Sequence, residues 1–361
     1  MSKIISYGKQ FIDEDDIDSV INVLKSDYLT TGPAVDKFEN ELCEYTGYSH
    51  CSVVSSGTAA LHCAIASLMM DSHSEVIVPA ISFVATSNCV LYQGCRPVFC
   101  DIDEDTLLID VNKIESLITR NTKAIIAMDY AGQQCDYSKI KEICIKYNLV
   151  FILDACHSLG NIFSFGINPD PDIICYSFHP VKHITTGEGG AALTNDYVYH
   201  QRIKSFRNHG RFKLEMTQLG FNYRMSDINA ALGSSQLCGL DGFISKRRDI
   251  AAKYNFNLDA HIQLAKINNH VYHLYVVKIK NRNKFIRYMM ENDVICAVHY
   301  PPIYSQPYYK LNGYGHYKEI CPSAEKIKDL IVSLPIYYSL EDEEQEKVIN
   351  LVNNFMEGNQ T

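Results

Sequence analysis

The stretch SFHPVKHITTGEGG, residues 177–190, sets two basic side chains, Lys182 and His183, between an apolar run and a glycine-rich segment. A lysine just past a buried strand can lose its proton through desolvation or nearby positive charge. The neutral amine is then a nucleophile able to form an imine with an aldehyde. A solvated surface lysine is the plain alternative. An imidazole forms no lasting imine, so Lys182 is the candidate reacting group and His183 a supporting or purely structural neighbour.

Three other segments carry chemistry that fits such an amine. Ser55-Ser56-Gly57-Thr58 stands between an apolar run and a helical one. Free amides and hydroxyls at a helix start suit a phosphate, although an ordinary Ser/Thr cap has the same composition. Phe83, in ISFVATSN, could cover a planar ring or simply pack in a core. Asp154 follows five apolar residues in LVFILDAC, and His157 comes three residues later. If buried, that carboxylate needs a positive partner such as a protonated pyridine nitrogen; otherwise it is a capping or surface aspartate. A phosphate cradle, a ring cover, a carboxylate for a ring nitrogen and an amine for an aldehyde are together the requirements of pyridoxal 5'-phosphate. Neither a Gly-x-Gly-x-x-Gly nor a Walker-type loop is present at the first of these segments, which argues against a dinucleotide or nucleoside triphosphate there.

The elements that must position these groups are legible as periodicities. Ile17, Val20, Ile21 and Leu24 recur at helical spacing, as do Val35, Phe38 and Leu42, with the turn-like YLTTGP between them. From about residue 50, short apolar runs alternate with helical stretches. HCSVVSS, EVIVPA, RPVFCDI, TKAIIAMDY, LVFILDAC and DIICYSF read as strands, and GTAALHCAIASLMM and YSKIKEICIKYN as helices. Buried strands separated by helices predict an α/β fold with a mostly parallel sheet between helices, and ligands bind outside the carboxyl ends of such strands. Past residue 240 the texture changes: HVYHLYVVKI reads as a strand, RNKFIRYMMEND as a helix, and SLEDEEQEKVINLVNNFM as a closing helix with an acidic first turn that suits its dipole. The predicted division is a large cofactor-binding domain, residues 1–240, and a smaller α+β domain, residues 241–361.

The totals agree with an ordinary soluble enzyme. The chain has 361 residues, 47% of them hydrophobic, and a formal net charge of −9 with no basic stripe, which argues against a nucleic-acid partner. Its 13 cysteines are an odd number without a Cys-x-x-Cys pair, so neither a disulfide framework nor a metal site is expected. Free cysteines in apolar runs suit a reducing cytoplasm. MSKIISYGKQ turns polar too early for a signal peptide, and no run reaches the roughly 18 apolar residues of a membrane span.

SGTAAL, ISFVATSN, DACHSLG, SFHPVKHITTGEGG and GFNYRMSDINAALG resemble the DegT-type sugar aminotransferases, a branch of the fold-type I pyridoxal phosphate enzymes. The resemblance runs from SYGKQFIDEDD to VSLPIYYSLEDEE, and ISFVATSN, MDYAGQ and VHYPPIY look like the subgroup that serves pseudaminic acid biosynthesis. It implies a seven-stranded sheet and a homodimer with shared active sites. Lys182 would bind the cofactor covalently, Asp154 would keep the pyridine nitrogen protonated, Phe83 would stack on the ring and His157 would lie near it. Gly57, Thr58 and Ser177 would hold the phosphate, and Asn222 would reach the phosphate in the neighbouring subunit. Tyr7, Asp27, Tyr28, Leu29, Thr30, His299 and Tyr300 look like substrate-side positions. The related sugar 3-dehydratases carry histidine where this chain has Lys182, which favours amino transfer over deoxygenation. The implied reaction moves an amino group from glutamate to C4 of a UDP-4-keto-6-deoxy-N-acetylhexosamine. The alternatives are a 4-aminotransferase for a D-configured UDP sugar or GDP-4-keto-6-deoxymannose, and a non-catalytic binding or regulatory protein on the same fold.

Overall fold

The structure, a computed structural model, describes residues 4–161, 171–264 and 269–358. Two helices open the chain, α1 (Glu14–Leu24) and α2 (Pro33–Thr46). Asp13 and Asp16 form a capping box that satisfies the first amides of α1, while α2 starts on a proline and stops at Gly47 in the left-handed conformation. The alternating region follows: β1 (His50–Val54), α3 (Gly57–Ser67), β2 (Glu75–Pro79), α4 (Ala85–Tyr92), β3 (Arg96–Cys100), the single turn α5 (Val111–Ile114), β4 (Thr122–Met128), α6 (Tyr137–Tyr147), β5 (Val150–Asp154), β6 (Ile173–Ser177), β7 (Gly190–Thr194) and α7 (Tyr197–Phe206).

The seven strands form one sheet in the order β1-β7-β6-β5-β4-β2-β3. The pairs β3-β2, β2-β4, β4-β5 and β5-β6 are parallel. β7 runs the other way between β6 and β1, antiparallel to both. The expected mostly parallel sheet is therefore present, with one strand the apolar runs did not announce. Gly190, the first residue of β7, is in register with Val54 at the end of β1 and Ser177 at the end of β6. Side chains of the central strands are buried on both faces, which is why they read as unbroken apolar runs.

A short hairpin, β8 (Arg211–Phe212) and β9 (Glu215–Met216), precedes α8 (Asp227–Asn257), a 31-residue helix. Next come β10 (Tyr275–Lys278), α9 (Arg282–Glu291) and β11 (Ile331–Leu334), which pairs antiparallel with β10; a helix, Asp342–Glu357, closes the chain. Residue 240 lies inside α8, whose two halves serve different cores: Ala230 and Leu240 pack with the large sheet, and Ile250, Ala251 and Tyr254 with β10, α9 and the closing helix. Ile5 packs into the second core from the other end of the chain, and Ile303, Tyr309 and Tyr317 pack into the first.

Candidate active site

The carboxyl ends of β1, β5 and β6 open on a cavity of about 660 Å³. One end of it is built by the start of α3. Ser56 caps that helix by accepting from the Ala59 amide at 3.1 Å, and the first-turn amides of Gly57 and Thr58 have no preceding turn of helix to bond. A Cβ on Gly57 would lie 2.6 Å from Ser177 Cβ and 3.2 Å from Cys156 Sγ. Glycine here lets the helix start close on the end of β6, leaving a concave, amide-lined rim that suits an anion.

Asp154 forms the cavity's base at the end of β5, almost fully buried. Thr86 donates to its Oδ2 at 2.6 Å, and the Ser82 hydroxyl lies 2.5 Å from Thr86 Oγ1. The Cys156 amide donates to Oδ1 at 3.2 Å. No lysine or arginine forms an ion pair with it among the described residues, so it faces the cavity as a hydrogen-bonded carboxylate without a cationic partner of its own.

Lys182 enters on the arch between β6 and β7. That arch is pinned at its base, where the Phe178 amide donates to the Gly189 carbonyl at 2.8 Å, and higher up, where the Thr186 amide donates to Phe178 O at 3.0 Å. Burial lowers the affinity of Lys182 for its proton; the acidic groups of Cys156 and Asp154 oppose this, and the Arg247 guanidinium adds to it. The net direction is downward, as a nucleophilic amine requires.

The wall around Lys182 is rich in imidazole. Ala131 N–H donates to His157 Nδ1 at 3.2 Å, so the ring proton sits on Nε2, 3.2 Å from the Tyr300 hydroxyl. His273 sits against His157, ring centroids 4.2 Å apart, and its Nε2 lies 3.4 Å from Lys182 Nζ. His183 turns away from the cavity, with Nε2 3.0 Å from the Val271 carbonyl. Burial pushes His157, His273 and His183 well below the ordinary imidazole range, and His299, also largely by burial, down to about 4. These rings are neutral near pH 7.

Tyr7, Gly57, Thr58, Phe83, Asp154, His157, Ser177, Lys182, His299 and Tyr300 all line this one cavity. Phe83 stands at its mouth with its ring 5.7 Å from that of Tyr300. Asn222 and Asp27, Tyr28, Leu29 and Thr30 do not line it and are exposed. They share another region, where Thr30 bridges to Ser226 and Asn222 to Asn208. Three site groups were invisible to sequence reasoning: Thr86 behind Asp154, Cys156 beside Gly57, and His273 against Lys182. A hydroxyl three residues after Phe83 is a faint signal for the first; nothing local marks the other two.

A family model for DegT/DnrJ/EryC1/StrS aminotransferases matches residues 10–353. The chain belongs to this family. The UDP-4-amino-4,6-dideoxy-N-acetyl-beta-L-altrosamine transaminase of Campylobacter jejuni is 35% identical to it over 85% of this chain and 86% of the relative. Among solved structures, Helicobacter pylori PseC, an aminotransferase involved in the biosynthesis of pseudoaminic acid, superposes with a TM-score of 0.91 at 31% identity, covering 99% of this chain and 100% of the other. The sugar aminotransferase Spr1654 of Streptococcus pneumoniae, in its PLP-form, gives 0.91 at 28% identity over 98% and 99%. This DegT-family chain is a pyridoxal-phosphate-dependent sugar aminotransferase on the fold-type I scaffold. Its cavity suits that cofactor: an anion rim that only glycine permits, a buried carboxylate without a cationic partner, and an amine held below its usual basicity.

Proposed function

We propose that this enzyme transfers an amino group from glutamate to C4 of a UDP-4-keto-6-deoxy-N-acetylhexosamine, the step that serves pseudaminic acid biosynthesis. The observation that carries the reading is the presence of Lys182 and Asp154 on the wall of one cavity, beside the glycine rim of α3. Bound pyridoxal phosphate supplies an aldehyde and a ring that takes up electrons from the substrate carbon. In this reading Gly57, Thr58 and Ser177 bind its phosphate, and Phe83 and His157 orient its ring. Asp154, held by Thr86, keeps a proton on the ring nitrogen. Lys182 attaches the cofactor and, once displaced, moves a proton to and from the substrate carbon as a general base. Tyr7, His299 and Tyr300 meet the sugar. The likeness to the Campylobacter jejuni transaminase and to PseC supports the pseudaminic acid assignment.

The working form in this reading is a homodimer. Asn222 and residues 27–30 lie outside the chain's own cavity and serve that of the partner. Tyr28, Leu29, Leu214, Met216, Leu219 and Phe221 are exposed on these segments and the adjoining hairpin, an apolar surface suited to an interface. A cytoplasmic setting is supported by 13 free cysteines.

The test is an assay of purified enzyme with glutamate against both C4-keto epimers of the UDP sugar and against GDP-4-keto-6-deoxymannose. Preferential amination of the L-configured UDP epimer is expected, with glutamate bleaching the yellow of the bound cofactor. Faster turnover of either rival sugar would replace the proposed substrate. Colour that glutamate leaves unbleached would favour a binding protein.

A further inference from the structure

Among the described residues the ring of His273 has one hydrogen-bonding partner, and it is the proposed reacting amine. Its Nε2 lies 3.4 Å from Lys182 Nζ, while its Nδ1 is buried without a partner among the described residues. Two imidazoles neighbour the ring, His157 with centroids 4.2 Å apart and His183 with centroids 5.7 Å apart. The backbone beneath is held firmly. Arg247, buried on α8, donates to the carbonyls of Tyr272, His273 and Ile336 at 3.2, 3.3 and 3.0 Å, with no carboxylate partner among the described residues. The Leu274 amide donates to the Ala131 carbonyl at 3.2 Å, next to the amide that fixes His157.

An ammonium group offers only donors. When Lys182 carries an extra proton it must find an acceptor in a buried wall, or its charge is left uncompensated at considerable cost. The titratable and charged groups around it are Asp154, Cys156 and His157 from the end of β5, His273 from the segment before β10, Arg247 from α8, His179, His183 and Glu188 from its own arch, Tyr7 near the start of the chain, and His299 with Tyr300. Asp154 accepts from Thr86 and the Cys156 amide, and among the described residues it forms no hydrogen bond or ion pair with Lys182. Nδ1 of His157 is taken by Ala131, and its Nε2 carries the proton. His183 points at Val271. Arg247 is a cation. Among the described residues, His273 Nε2 is the acceptor at hydrogen-bonding distance from Nζ.

We propose that His273 is a positioning residue for Lys182: whenever the amine is free of the cofactor and protonated, Nζ donates to His273 Nε2, and Arg247, through the His273 carbonyl, fixes where that acceptor stands. The ring is then the Nδ1–H tautomer, and no proton leaves the lysine. The hydrogen bond keeps the displaced amine beside the cavity instead of letting its four-carbon stem swing away. The inference rests on Lys182 being the reacting amine.

The test uses the full-length chain freed of cofactor. Reductive methylation of Lys182 is followed against pH by mass spectrometry, with the exposed Lys37 as internal control. Losing a hydrogen bond to a charged group is expected to bring the His273→Phe midpoint about one pH unit below wild type. His273→Gln, which keeps an acceptor at that reach, should restore most of the shift. A His273→Phe midpoint equal to or above wild type overturns the proposal. If His273→Phe does not fold, ring 15N shifts of wild-type His273 below the Lys182 midpoint decide: an unprotonated Nε2 with a proton on Nδ1 supports it, and the reverse overturns it. Covalent cofactor uptake by wild type against Lys182→Ala tests the underlying reading separately. Uptake equal in both would sink that reading and leave the hydrogen bond standing.

Discussion

The two cores of this chain divide the work by composition. Around Lys182 the packing is polar and ionisable: a carboxylate, three imidazoles and a guanidinium are buried within a few side chains of one another. The core between β10, α9 and the closing helix holds Val277, Phe285, Met289, Val332, Val348 and their apolar neighbours, and the buried polar side chains on β11 and that helix are the uncharged Ser333 and Gln345. Burying polar groups costs free energy unless each finds a partner, whereas burying Phe or Val contributes it. The cavity wall thus uses stability to hold unusual protonation states, and the second core supplies stability without chemistry. α8 ties them together, because Arg247 serves the first and Tyr254, two turns on, the second.

The sharpest break in that comparison is Lys182→Ala. It should reduce amino transfer by at least about 10³-fold and abolish covalent cofactor retention, with the fold intact by circular dichroism. Phe285→Ala should do the reverse. Truncating this fully buried ring is expected to cost about 3–5 kcal/mol in denaturant unfolding while leaving kcat of the folded fraction within about two-fold. A large loss of kcat in the folded fraction would show the cores to be less separable than their compositions suggest.

Acid should distinguish them next. His157, His183 and His273 have folded pKa values depressed below the roughly 6.5 of an unfolded chain. Below that pH the unfolded chain binds protons the fold refuses, so their contribution is complete above about pH 6.5 and is lost as pH falls. Thermal unfolding at pH 7.5 and 5.5 should show a lower Tm in acid, and the Phe285→Ala penalty should be the same at both. A penalty that changed with pH would contradict the division. The smallest effect is expected from Gly57→Ala. Its methyl would collide with Ser177 and push the helix start off the end of β6, weakening cofactor affinity by about ten-fold in a spectroscopic titration, with little change in Tm.

Much of the frame was legible because its signals are local. Unbroken apolar runs marked β2, β4 and β5, and Asp154, Phe83 and Lys182 follow apolar runs as strand-end residues must. β7 was missed because GAALT opens on three small residues and holds no aromatic, Val or Ile such as mark its neighbours, and its reversed direction leaves no trace in composition. HVYHLYVVKI was read as one strand, yet the ladder covers only Tyr275–Lys278. Val271 and Leu274 instead bond to the carbonyls of Gly132 and Ala131, which delivers His273 to a lysine 91 residues away. Contacts of that separation are decided by how the chain returns on itself, and no local spacing encodes them.

The reversal of β7 has a mechanical consequence for the lysine. Because Gly190 starts beside Ser177, the segment carrying Lys182 leaves the sheet and re-enters it at the same end of two neighbouring strands, with Phe178 and Gly189 bonded across its feet. A strand entered in the parallel sense would have required a crossover spanning the whole sheet, and the amine would have ridden on a long traverse. Here it rides on a short bridge with both abutments on one bank. Residues added between 178 and 189 would raise the span without loosening its footings, while residues lost from it would drag the amine down toward the strands.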